Sequence, residues 1–316
     1  MPMSVALLSI AFLIAALCAA IMGYAIQRGA TCLVAAVDEV LTKRTAWRFA
    51  GLAEAAIWVA GGVLLWRTLG GHETLPIGYP ATLATVAGGM LLGLGAFVSR
   101  ACVFGAVARF GSGEWAYVLT PIGFYLGCLT IWPLIGKFPQ MHVASPLFAA
   151  SWLLVPFALF VGWRSVEVIR AGRARMLAAH IWTPHRATAV IGIVFAISLI
   201  AIGPWAYTYA LLALAQGRTD GVIVKLVLLV MLFAGALVGG WTAGRLELRA
   251  PTLESAIRCL GGGVLMGWGS LLIPGGNDEL LLVGIPLLQA YAWVAVASMA
   301  VAIALGLAVE RWFGAR

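Results

Sequence analysis

Charge is what this 316-residue sequence has least of: 12 acidic and 20 basic side chains, or 10% charged. A soluble domain carries about a quarter, so a soluble globular protein is excluded. Cysteine is sparse and scattered: Cys18, Cys32, Cys102, Cys128 and Cys259 form no CxxC pair and no cluster with histidine. That spacing excludes a zinc site read from sequence and a disulfide framework. The 4 histidines stand apart and make no metal site. No nucleotide-binding motif is present, so ATP is not used by this chain, and no cofactor is called for. The apolar stretch Val5–Ile26 lacks the basic leader of a signal peptide and is long enough to span, so it reads as a retained helix.

What fills the sequence is apolar: 63% hydrophobic residues with a mean hydropathy of +1.02. The chain is therefore an all-α polytopic integral membrane protein, with the lipid bilayer as its solvent. The net charge of +8 reflects basic loops at a membrane surface and an anionic substrate, not nucleic acid. A span needs about 20 apolar residues. Stretches of that kind fall near 5–26, 47–69, 80–98, 115–135, 148–165, 187–203, 221–243, 254–273 and 289–311. Shorter apolar pieces lie at 29–41, 100–111, 204–216 and 276–288. This predicts about nine transmembrane helices and four short re-entrant helices.

Arg164, Arg170, Arg173, Arg175 and Arg186 crowd the region after the fifth span, which places that loop in the cytoplasm. Counting in both directions, Lys43, Arg44, Arg48, Arg100, Arg109, Arg245, Arg249, Arg311 and Arg316 fall on the same side. Of the opposite loops, only Lys137 and Arg218 bring a basic residue. The N-terminus is then periplasmic and the C-terminus cytoplasmic, in a bacterial inner membrane.

The chain also repeats. Gly88, Gly89, Gly93 and Gly95 recur as Gly262, Gly263, Gly267 and Gly269, at one offset (262 − 88 = 174). In that register Cys102 falls opposite Gly276. An odd linker span between two four-span sets inverts the second relative to the first. The expected division is a first half of about 1–147, a linker span and basic loop at about 148–186, and a second half of about 187–316. All of it forms one transporter-like membrane domain.

Two cysteines stand out. Cys32 and Cys102 each follow a glycine pattern at a helix break, with Arg28 four residues before one and Arg100 two before the other. A thiol is a soft, weak hydrogen-bond partner suited to a sulfur-bearing anion. Half-helix N-termini and a guanidinium favour an anion nearby. Cys18, Cys128 and Cys259 lie inside plain spans and read as small hydrophobes. In Ile273-Pro274-Gly275-Gly276-Asn277-Asp278-Glu279 the proline ends a helix, the glycines free the backbone and the acids suit the next helix start. The glycine sets read as packing residues, and Arg109, Glu114, Arg245, Glu247 and Arg258 as interfacial ion pairs and anchors.

These stretches resemble the YeeE/YedE family of sulfur-compound transporters, known for thiosulfate uptake. The likeness rests on GYAIQRGATC ending at Cys32 and on GLGAFVSRACVFGAVARFGSGE around Cys102. It extends to GGGVLMGWGSLLIPGGND and to Gly203-Pro204-Trp205, and covers nearly the whole chain. The resemblance implies nine spans with re-entrant helices in two pseudo-symmetric halves. It also implies a central row of cysteines that passes thiosulfate between thiols, with Cys32 and Cys102 as two of them. The third family cysteine stands in a Pro-Gly-Cys-Asn turn, where this chain has Gly276. The resemblance further implies a small cytoplasmic sulfur-carrier protein as partner.

The reading that follows is uptake of thiosulfate or a related small sulfur-containing ion, without enzymatic activity. Its path would be lined by Cys102, Cys32, Gly276, Asn277, Arg100 and Arg28. The alternative is a membrane sulfur-transfer or thiol-redox protein in which Cys102 carries a persulfide and works with a cytoplasmic carrier. A third class is a non-transporting membrane subunit that anchors such a carrier.

Overall fold

The computed structural model describes residues 9–71, 78–135, 143–170, 182–218 and 221–314. The start of the first predicted span, Lys137, and Arg173 and Arg175 of the basic loop lie outside the described residues. Described in order, the helices are α1 (Ile10–Gly29), α2 (Leu33–Lys43), α3 (Trp47–Thr68), α4 (Leu83–Ser99), α5 (Val103–Gly111), α6 (Leu119–Ile135) and α7 (Leu154–Arg170). They continue as α8 (Pro184–Ile202), α9 (Tyr207–Ala215), α10 (Val222–Thr242), α11 (Leu253–Leu272), α12 (Asn277–Glu279) and α13 (Ala290–Gly314). The chain leaves α12 as a π-helical stretch over Leu280–Gly284.

Local chemistry sets the starts. Ser9 accepts from the Phe12 N–H at 3.2 Å, and Thr183 caps α8 ahead of Pro184. Thr82 with Thr85, and Thr252 with Ser255, form capping boxes at α4 and α11. Among the described residues seven segments are long and apolar enough to cross a membrane, and the bent pair Leu253–Leu272 with Asn277–Gly284 makes an eighth if it is one span. The linker helix α7, at 17 residues, falls just below that length. In the first half each short helix runs on from its long partner, giving single segments of 34 and 29 residues; the pair at 253–284 is bent by 57°. Ala30 and Arg100, left-handed at φ 46° and 55°, interrupt the ladder before the short helices. Large apolar side chains such as Leu13, Leu83, Leu159, Leu253 and Leu305 face outward, as expected where lipid is the solvent.

The repeat is visible as packing. α1 lies on α10 as α3 lies on α8, and α6 lies on α11 as α13 lies on α4. α2 meets α13 as α9 meets α6, and α1–α8 and α4–α11 are counterparts packed on each other. Glycine permits the closest of these approaches. A Cβ on Gly95 would stand 2.5 Å from the Gly262 carbonyl oxygen, and one on Gly262 would stand 2.6 Å from that of Gly95. Gly88 and Gly269 face each other the same way, at 2.7 and 2.5 Å. No real side chain fits such gaps, so the glycine seam is what lets α4 and α11 touch backbone to backbone.

The linker α7 is pinned to α3 from its polar end. Glu54, buried in α3, accepts from Arg164 Nε at 2.8 Å and lies 2.6 Å from His185 Nδ1 of α8. Arg164, expected in the basic loop, therefore sits inside the helix and against the protein. The helix continues past the expected end of the span, to Arg170.

Candidate functional site

Cys32 and Cys102 are in extended backbone, each the last residue before a short helix, α2 and α5. An N-cap residue is held out of the helix while its neighbours' N–H groups point at it. The Leu33 N–H, at the start of α2, donates to Cys102 Sγ at 3.2 Å. Leu33 directly follows Cys32, so this bond brings the two cysteine tips together. Both are free thiols. A Cβ on Gly105 would stand 2.6 Å from Cys32 Sγ, so only a glycine on α5 lets that thiol lie against the helix. Cys102 is wholly buried, whereas Cys32 is partly open. Gly29, Thr31, Arg48, Leu52, Pro184 and Thr188 line a narrow cleft with it.

The counterpart tips belong to α9 and α12. The residue before α9 is Ala206 and the residue before α12 is Gly276. Both stand 174 residues beyond the cysteines (206 − 32 and 276 − 102). Here uncharged donors and a carboxylate replace thiols. The Thr208 hydroxyl donates to Asp278 Oδ1, and the Thr208 N–H donates to Asp278 Oδ2 at 3.3 Å. A Cβ at Gly276 would stand 2.6 Å from Thr208 Cβ. The space a third cysteine would need is therefore occupied by the threonine side chain. The Tyr207 hydroxyl donates to the Val103 carbonyl at 3.0 Å, tying the α9 tip to the α5 tip. α12 packs on both α5 and α9.

Asn277 is completely buried, and neither its amide oxygen nor its amide nitrogen has a partner among the described residues. A buried amide left open is costly, on the order of 1–3 kcal/mol. It marks a place where another polar group is accommodated.

Of the residues expected along the path, Cys32 and Cys102 are brought together, and Gly276 and Asn277 stand at the equivalent tip of the second half. The arginines are placed differently. Arg100 is the left-handed residue that ends α4, and its guanidinium pairs with Glu310 of α13 at an exposed position. Arg28 is buried, donates to Thr242 Oγ1 at 2.9 Å and lies 5.0 Å from the Tyr24 ring centroid. Other interfacial pairs form as expected, Arg109 with Glu114 at 3.3 Å and Arg258 with Glu254 at 3.3 Å. Among the described residues no group of three or more His, Cys, Asp or Glu side chains could hold a metal ion.

Sequence reasoning missed Thr208 as the partner of Asp278. A signal was present. The offset that pairs Cys32 with Ala206 brings the polar run Tyr207-Thr208-Tyr209 into an otherwise apolar segment, at a tip. Gly105 was also overlooked among 38 glycines; only the packing of α5 on the Cys32 tip singles it out.

Electrostatically the tips suit an anion. The starts of α2, α5 and α9 each bring first-turn N–H groups and the positive end of a helix dipole, and two of those N–H groups are engaged, Leu33 with Cys102 Sγ and Thr208 with Asp278 Oδ2. Thiols and an open amide provide polarisable or neutral donors there.

Comparison with known proteins bears on the chain as a whole. Residues 28–305 match the sequence model of a family described as sulphur transport. The chain is 22% identical to the thiosulfate transporter TsuA of Escherichia coli (strain K12), over 90% of either protein.

Proposed function

This chain belongs to the sulphur transport family, and on that premise we propose that it takes up thiosulfate or a related small sulfur-containing ion along a buried path from tip to tip. The path runs by Cys32, Cys102, Gly276 and Asn277, with Thr208 and Asp278 beside it. The observation that carries this reading is the contact of the two cysteine tips. Cys102 already accepts the Leu33 N–H at 3.2 Å, from the residue that follows Cys32. An arriving anion would take over these donors one after another, its outer sulfur against the thiols, without losing all hydrogen bonds at any step. In the second half the open Asn277 amide would provide a donor where the family resemblance implies a third thiol.

The arginines have an indirect part in this proposal. Arg28 adds positive charge near the end of α1, and Arg100 fixes the end of α4 against α13 through Glu310. Two inverted halves, about 1–147 and 187–316 with the linker at about 148–186, would close on the path from opposite sides. The N-terminus would face the periplasm and the C-terminus the cytoplasm of a bacterial inner membrane. A small cytoplasmic sulfur-carrier protein would receive the sulfur at the inner face. The complete burial of Cys102 favours passage of a small ion over a persulfide handed directly to a protein partner.

The test is growth on thiosulfate as sole sulfur source in a host that lacks its own uptake. The parent should grow, and Cys102→Ala and Cys32→Ala should not. Growth of Cys102→Ala at the parent rate would remove the thiol path. A parent that supports growth on sulfite but never on thiosulfate would reassign the substrate.

A further inference from the structure

Resting on the reading that a small sulfur anion enters here, we infer that Glu279, next to Asp278, binds the proton that travels with the anion. Among the described residues the buried carboxylates are Glu54, Asp278 and Glu279. Glu54 is neutralised by direct contact with Arg164. Asp278 is held only by uncharged donors, the hydroxyl and N–H of Thr208. Glu279 is 9% exposed, and its Oε2 is buried without a partner among the described residues. Neither Asp278 nor Glu279 makes an ion pair with a described residue.

The groups that face Glu279 come from every side. Lys225 on α10 and Arg218 before it act on its charge without touching it, and Tyr79, Tyr291 and Asp278 complete the surroundings. Tyr207 lies beside Asp278. Both cations are engaged by Tyr209 of α9: Arg218 donates to its hydroxyl at 2.5 Å, and Lys225 Nζ lies 4.4 Å from its ring centroid. The wholly buried Asn277, two residues away, leaves both amide atoms open. That is an independent sign that this turn takes a polar visitor. The visitor is the anion, and the proton is what allows it to stay beside two carboxylates.

A carboxylate in an apolar setting with no cation in contact is most easily accommodated with a proton on it. A negative ion arriving nearby favours that protonated form further. By linkage, a bound proton then strengthens anion binding by the same factor. Lys225 and Arg218 can swing from Tyr209 toward the anion, which removes their screening from Glu279 and reinforces the coupling. The need for such a cation is physical. At an inside-negative potential of 100 mV each negative charge carried inward lowers the attainable concentration ratio about fifty-fold, so a divalent anion is held out on the order of two-thousand-fold. Two carboxylates at the path can bring two protons and make the passage electrically silent. The bonding is simple: O–H forms on the carboxylate at one face, breaks at the other, and no electron changes hands.

The experiment uses the purified full-length protein in liposomes loaded with a pH-sensitive dye, with thiosulfate added outside. Uptake by the parent should acidify the interior, and its rate should fall by up to about tenfold for each unit rise in pH, the limit for one required proton. Glu279→Gln should lose the acidification and flatten the pH profile. Asp278→Asn should reduce the number of protons per anion. Thiosulfate uptake by the parent with no proton movement, or movement only when sodium is present, would overturn the inference and leave the proposed function standing. An absence of thiosulfate uptake by the parent would overturn both.

Discussion

The helices related by the 174-residue offset are alike where they pack and unlike at the residues that precede their short helices. Along the seam, Gly88, Gly95, Gly262 and Gly269 form a symmetric set, each using its missing side chain to admit the opposite backbone. At the tips the symmetry of backbone survives, with an extended residue before α2, α5, α9 and α12. The side chains there diverge: Cys32 and Cys102 in one half, Ala206 and Gly276 in the other. The second half compensates with Thr208 and Asp278, which fill the volume that a thiol would need. Packing has to be satisfied in both halves because both bury the same backbone surface. The proposed path would need only a continuous series of donors, so its chemistry could differ from one set of helices to the other.

That comparison can be broken most severely at the seam. Gly95→Leu should destabilise the protein by about 3 kcal/mol or more, because overpacking here meets a rigid backbone and not a side chain that can turn away. Thermal unfolding in detergent would show it, and Gly262→Leu should match it if the halves are equivalent. Next in size is the thiol half of the path. A hydrogen bond to a charged group contributes about 1.5–3 kcal/mol, so Cys102→Ala should lower thiosulfate uptake roughly ten- to hundredfold with folding intact. Initial rates of labelled thiosulfate entry in whole cells would measure it.

Gly276→Cys would restore the family cysteine and sharpens the contrast further. In this chain it should destabilise by about 1–3 kcal/mol, since the new Cβ overlaps Thr208. Gly276→Cys combined with Thr208→Ala should recover most of that loss, and a double-mutant cycle of melting temperatures tests the coupling. Thr208→Val alone removes the hydroxyl donor to Asp278 and should cost about 1–3 kcal/mol, with uptake lowered at least as much as stability. The smallest effect is expected at the cysteines off the path. Cys18→Ala and Cys259→Ala should leave uptake within about twofold, as for changes away from the machinery.

Particular residues show how far the sequence could be followed. The breaks at Cys32 and Cys102 were legible because apolar runs stop short there and glycine precedes them. The glycine repeat was legible as a register and, through it, the equivalence of Cys102 and Gly276. Arg100 was misleading: two residues from Cys102 along the chain, it turns outward to Glu310, which lies 210 residues away. Sequence proximity at a helix end does not fix direction, because a left-handed residue such as Arg100 projects its side chain away from the tip that follows. Thr208 was invisible as a site for the opposite reason. It is 70 residues from Asp278, and nothing in a single sequence links the two.

What the sequence determined by itself was the solvent and the period. So few charges over so many apolar runs can be stable only in a bilayer, and each long run must become a helix because lipid offers the backbone no other partner. Glycines, prolines and small polar residues then mark where those helices stop. Tertiary structure decided which stops come together. Only the packing of segments distant in the chain places the Cys32 and Cys102 tips in contact, turns Arg100 toward Glu310, and sets Thr208 against Gly276. Those outcomes depend on close approach between segments distant in the chain, and approach is set by the shapes of both partners.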